Sequence, residues 1–154
     1  MNKKNIILSI NPIAHDTAAA LMIDGEIVSA CEQERYTKDK HSRKFPIDAA
    51  LSCLDSAEVT IEDLTLVVVP YDVKKGVREY YLKNAIIDDA RLEFLVDDID
   101  RVKHLLTLEQ TIKENLGYEG EVKFVDHHMS HMSSAYYTSG YKDALVVSYD
   151  GLGE

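Results

Sequence analysis

The sequence predicts an α/β domain built on a mixed β-sheet. Short apolar runs rich in β-branched residues recur at 5–10, 64–69 and 143–149, as buried strands require. Two further apolar runs flank Asp24-Gly25, a two-residue hairpin signal. From 46 onward the strand runs alternate with segments of helical period, giving the order β-β-β-α-β-α-β-α-β. A hairpin followed by alternating α and β places antiparallel and parallel neighbours in one sheet.

The elements follow in order. Residues 5–10 (NIILSI) are the first strand, stopped by Asn11-Pro12 because proline donates nothing to a ladder. Residues 18–23 (AAALMI) and 26–31 (EIVSAC) are the hairpin. Residues 32–45 are polar and without period, hence a loop with room for one helical turn. Pro46 suits the first turn of a helix, and Ala49, Ala50, Leu51, Cys53, Leu54 and Ala57 supply its apolar face. Thr60 with Asp63 reads as a capping pair for a short turn, ahead of a strand at 64–69 (LTLVVV) ended by Pro70. Residues 75–116 carry apolar residues at three- and four-residue steps, from Tyr80 and Tyr81 to Leu105 and Leu106, so they are helical. Gly117 ends that stretch. Residues 121–126 (EVKFVD) alternate as a strand, 127–137 suit a short helix, and 143–149 (DALVVSY) lead as a last strand into Asp150-Gly151-Leu152-Gly153-Glu154.

Bulk properties narrow the function. The 154 residues fit one domain, and 45% apolar with 29% charged is a globular balance. A net charge of −10 excludes a general nucleic-acid binder, which needs a basic footprint, and gives no cationic face for anionic lipid. No stretch approaches the twenty apolar residues of a membrane span. The apolar run Ile6 to Ile10 is too short for a signal peptide. Cys31 and Cys53 match no metal spacing and read as reduced, buried thiols of a cytoplasmic protein.

The strongest chemical constellation is D-H-H-M-S-H at 126–131 together with Asp150. On a helix His127 and His131 share a face. Two imidazoles and a carboxylate from a neighbouring strand end leave coordination positions open, as suits Fe(II) and similar ions. His128 points about a quarter-turn away and reads as a supporting group, a phosphate contact or a surface residue. Asp150-Gly151-x-Gly153 permits close backbone approach to a phosphate, and is equally explained as a hairpin turn. His15-Asp16 follows the first strand, where α/β sites collect loop residues. Histidine titrates near neutrality and suits a general base for a hydroxyl; a loop histidine bonded to its own backbone fits the spacing too. Arg35 heads a basic run to Lys44 and is fitted either to bind a phosphate or carboxylate or to sit in an exposed salt bridge.

Together the runs I-L-S-I-N-P-I-A-H-D-T-A-A-A-L, E-Q-E-R-Y-T-K-D-K-H, F-P-I-D-A-A, V-D-H-H-M-S-H-M-S-S-A-Y-Y-T-S and L-V-V-S-Y-D-G-L-G-E resemble the nodulation-type O-carbamoyltransferases, specifically the amino-terminal part of their catalytic domain. The resemblance covers 5–70 and 121–154. It implies an actin/sugar-kinase-like (ribonuclease H-like) fold, with residues 1–142 as the amino-terminal half and 143–154 as the first strand of a truncated second half. It implies transfer of a carbamoyl group to a hydroxyl-bearing small molecule from carbamoyl-adenylate, which a separate domain makes from carbamoyl phosphate and ATP. Family metal ligands map to His127, His131 and Asp150, usually with iron, plus an Asp beyond Glu154. The acceptor-activating base maps to His15. Asp150, Gly151 and Gly153 would lie on the adenylate phosphate, with His128 and Arg35 as further nucleotide contacts. The chain alone is then expected to be inactive, to need the rest of its own polypeptide, and to be able to self-associate through an open sheet edge. A hydrogenase-maturation-type S-carbamoyltransferase and a non-catalytic nucleotide-binding regulator of the same fold stand as alternatives.

Overall fold

A computed structural model of the chain describes residues 4–13 and 15–150. They divide into two compact units. The first comprises the chain up to Val69 with Glu109–Lys123, and the second comprises Pro70–Leu108 with the chain from Phe124 onward.

The first unit is built on a sheet. Strands β1 (Ile6–Asn11), β2 (Ala18–Ile23), β3 (Glu26–Glu32), β4 (Leu66–Val69) and β5 (Val122–Phe124) are ordered β3-β2-β1-β4-β5 among the described residues. Pairs β1–β2 and β2–β3 are antiparallel, and β1–β4 is parallel, so the sheet is mixed. Asp24 and Gly25 take φ of +52° and +90°, the two left-handed positions of a tight hairpin turn. A short helical turn α1 (Glu34–Thr37) and helix α2 (Ile47–Asp55) follow. Helix α2 turns Ala49, Ala50, Cys53 and Leu54 inward and packs on β2 and β3. Buried Gln33 serves its first turn: Ala49 N–H donates to Oε1 and Nε2 donates to Asp48. Leu8, Ile10, Leu21, Val67, Val69 and Ile112 fill the core. Thr60 and Asp63 form the reciprocal capping box of a 3-10 turn (Ile61–Asp63). Helix α7 (Leu108–Leu116) ends at Gly117 with φ +67°. Cys53 is buried, but Cys31 on the edge strand β3 is half-exposed.

The second unit is helical. Helix α3 (Val73–Gly76) runs through a π-helical segment, Val77–Leu82, into α4 (Lys83–Ala85). Helices α5 (Asp89–Asp97) and α6 (Ile99–Leu106) follow. Tyr81 stacks on Phe94 with centroids 5.6 Å apart and donates its hydroxyl to Asp98 at 2.7 Å. Helix α8 (His127–Ser139) starts where the Asp126 carboxylate accepts from Met129 N–H and stops at Gly140, φ +75°.

Residues 143–149 do not form the expected strand. Their alternation is genuine, but a strand exists only with a ladder partner, and none is present among the described residues. Leu145, Val147 and Tyr149 stand 92%, 75% and 99% exposed. The segment is tied to α8 by side chains instead: Tyr136 hydroxyl donates to Lys142 carbonyl at 2.7 Å, and His128 Nδ1 meets Ser148 Oγ at 2.9 Å. No helix among the described residues is long and apolar enough to cross a membrane.

Candidate functional site

Helix α8 builds the site from its first two turns. With Asp126 as cap, His127 and His131 fall on successive turns of one face. Their Nε2 atoms lie 3.1 Å apart. Asp150 Oδ2 sits 2.8 Å from His127 Nε2 and 3.3 Å from His131 Nε2. All three are partly exposed. Two imidazole nitrogens and a carboxylate oxygen thus converge on one locus.

The other ring nitrogen of His127 explains its orientation. Nδ1 faces the Pro70 carbonyl at 3.2 Å. A carbonyl only accepts, so Nδ1 carries a proton there, and the ring is turned so that Nε2 faces His131 and Asp150. Tyr71 packs against the same ring, centroids 5.6 Å apart, and Gly76 lies directly against Tyr71. Lys75 Nζ pairs with Asp126 at 2.5 Å. That ion pair, with the Met129 N–H, holds the Asp126 carboxyl below the usual carboxylate range and keeps the helix cap charged. Pro70, Tyr71, Lys75 and Gly76 carry no motif, and only the fold reveals them as supports of the histidine face.

The three donor atoms lie 2.8, 3.1 and 3.3 Å from one another, close enough for one divalent cation to touch all three, and two imidazoles with a carboxylate are a donor set that suits Fe(II) and similar ions.

The remaining expected residues are distributed as follows. His128 is turned from the triad onto Ser148. Gly151 and Gly153 lie outside the described residues. In the first unit, Arg35 is exposed and pairs with Glu32 at 3.5 Å. His15, also in the first unit, has Nδ1 2.5 Å from Asp16 Oδ2, and Asp16 Oδ1 meets His41 Nδ1 at 2.8 Å. His41, 25 residues further on, is a site neighbour that sequence spacing does not reveal.

The chain is 32% identical to an uncharacterized protein, sll1178, of Synechocystis, over 96% of its own length and 26% of that protein. It is 29% identical to the nodulation protein NolNO of Sinorhizobium fredii, over 94% of its length and 20% of that protein. A 39% identical stretch of 54 residues matches an uncharacterized 19.2 kDa protein of Rhizobium etli, over 35% of this chain and 32% of that one. The chain thus spans about a quarter of the length of the first relative and a fifth of the second. The family model described as carbamoyltransferase N-terminus matches residues 6–154, and the chain belongs to that family.

Proposed function

We propose that this chain is part of the machinery that passes a carbamoyl group from carbamoyl-adenylate to the hydroxyl of a small-molecule acceptor, in a polypeptide of the length of its relatives. The observation that carries the reading is the convergence of His127, His131 and Asp150 on one locus, with edges suited to a divalent cation, Fe(II) foremost. A cation bound there would supply Lewis-acid stabilisation of charge on substrate phosphate oxygens. The chain's own residues do the rest. His127 is oriented by Pro70 and Tyr71 so that Nε2 faces the triad. Asp150 lies against α8, and His128 beside it is a further candidate for contact with nucleotide phosphate; Gly151, Gly153 and Arg35 are proposed as nucleotide contacts from the sequence motif alone. His15 Nε2 takes the acceptor's hydroxyl proton. The acceptor oxygen then bonds to the carbamoyl carbon, and AMP departs with the electrons of the broken carbon–oxygen bond. The adenylate itself arises from carbamoyl phosphate and ATP in another part of the polypeptide, so the 154-residue chain alone is expected not to turn over. An actin/sugar-kinase-like fold is part of the proposal, supported by the antiparallel β1–β2–β3 run beside a parallel β4. The open edge at β3 offers a route to self-association.

The test is anaerobic Fe(II) loading followed by metal analysis. One Fe(II) per chain is expected, and none after His127→Ala/His131→Ala. Stoichiometric iron in the double variant would remove the triad from the reading.

A further inference from the structure

The first unit brings His15 and Asp16 together with His41 from a separate stretch of sequence. Asp16 stands between two imidazoles and gives one oxygen to each, Oδ2 to His15 and Oδ1 to His41. The rings meet edge-on at 6.2 Å. A carboxylate only accepts, so both Nδ1 atoms carry protons, and in the neutral form of each ring Nε2 carries the lone pair.

The fold goes to some length to make this contact. Asp16 and His41 both have φ of +57°, a left-handed conformation that costs a residue other than glycine roughly 1 kcal/mol or more. The loop bearing His41 is pinned beside Asp16 at three points. Thr17 N–H donates to Ser42 carbonyl at 3.2 Å, Thr17 hydroxyl donates to Lys44 carbonyl at 2.7 Å, and His41 N–H donates to Glu34 Oε2 at 3.1 Å. The imidazoles themselves are 62% and 66% exposed. Exposed ion pairs contribute little to stability, so stability does not account for two strained residues held at one solvent-facing carboxylate. Orientation does.

We propose that Asp16 and His41 are positioning residues for His15: the shared carboxylate holds the His15 ring as its Nδ1–H tautomer, leaving Nε2 as the proton acceptor, and His41 holds the carboxylate from its other oxygen. The inference rests on the reading of His15 as acceptor-activating base and supplies its orienting partner. The logic is that of a buried aspartate behind a catalytic histidine, where loss of the carboxylate leaves the ring in the wrong tautomer. The device here is exposed and doubled, one carboxylate serving two rings. Alanine at 16 would leave neither Nδ1–H an acceptor, so nothing would hold the proton at Nδ1.

The experiment reads the tautomer and the turnover separately. Long-range 1H–15N spectra of the 154-residue chain should show His15 as the Nδ1–H form in its neutral state. Asp16→Ala should convert it largely to Nε2–H, and His41→Ala should lower the Nδ1–H fraction by less. In the longer polypeptide, Asp16→Ala should reduce kcat for carbamoyl transfer on the order of 10²-fold or more, with the acceptor KM and adenylate formation unchanged. An unchanged His15 tautomer in Asp16→Ala overturns the positioning role. Unchanged spectra in His41→Ala, with the fold intact, overturn His41's part in it. A converted tautomer with undiminished transfer leaves the positioning role standing and overturns His15 as the base.

Discussion

Gly76→Ala is a test of whether packing behind the histidine face sets metal affinity. A Cβ built on Gly76 would lie 2.7 Å from Tyr71 Oη, 2.9 Å from Cε1 and 3.2 Å from Cζ. Ordinary carbon contacts begin near about 3.5 Å, so the tyrosine ring must withdraw by about 0.6 Å. That ring packs on His127, and a site tolerates only about 0.5 Å of ligand displacement. Disturbing a group that orients a metal-bound histidine costs about 10–100-fold in affinity. Stability is the weaker readout. Overpacking costs about 1–3 kcal/mol, but alanine in a helix recovers up to about 1 kcal/mol over glycine, so the net effect on unfolding is about 0–2 kcal/mol. The assay is anaerobic titration with Fe(II) or Co(II), alongside thermal unfolding. An affinity within about twofold of wild type in a folded variant would refute the claim that Tyr71 transmits packing to the site.

Three further outcomes are expected. In the longer polypeptide, His15→Ala should abolish carbamoyl transfer while leaving carbamoyl-adenylate formation intact; transfer at the wild-type rate would remove His15 from the mechanism. Leu21→Ala, at a fully buried position, should destabilise the chain by about 2–5 kcal/mol in urea unfolding, and a loss below about 1 kcal/mol would mean the sheet core is not packed as described. Burial, and then the hydrogen bond to Asp98, push the Tyr81 hydroxyl up to about 12. A raised folded-state value contributes stability that is complete below the ordinary tyrosine value of about 10 and is lost as pH rises from there through the folded value. Wild type should therefore lose stability relative to Tyr81→Phe between about pH 10 and 12, and parallel unfolding curves for the two proteins across that range would contradict it.

Much of this molecule is legible in the sequence because the signals are local. Asp24-Gly25 fixes the hairpin, since its turn needs two left-handed residues and these types supply them. The four-residue step from His127 to His131 guarantees a shared helix face. Asp150 was recognisable from its glycines, although it reaches the triad from an irregular segment and not from a strand end. What escapes the sequence depends on tertiary placement. Residues 143–149 have the alternation of a strand but no ladder to join. The meeting of Asp16 with His41 arises from the Thr17–Ser42 backbone bond and two left-handed residues, which no periodicity records. Tyr71 supports His127 only because α3 presents Gly76 behind it.

The central claim concerns a place for one cation, and diffraction tests it most directly. Crystals grown anaerobically with Fe(II) should give an anomalous peak about 2.0–2.3 Å from His127 Nε2, His131 Nε2 and an Asp150 oxygen. Iron bound only elsewhere on the chain, or no peak at that locus under saturating metal, would contradict the account.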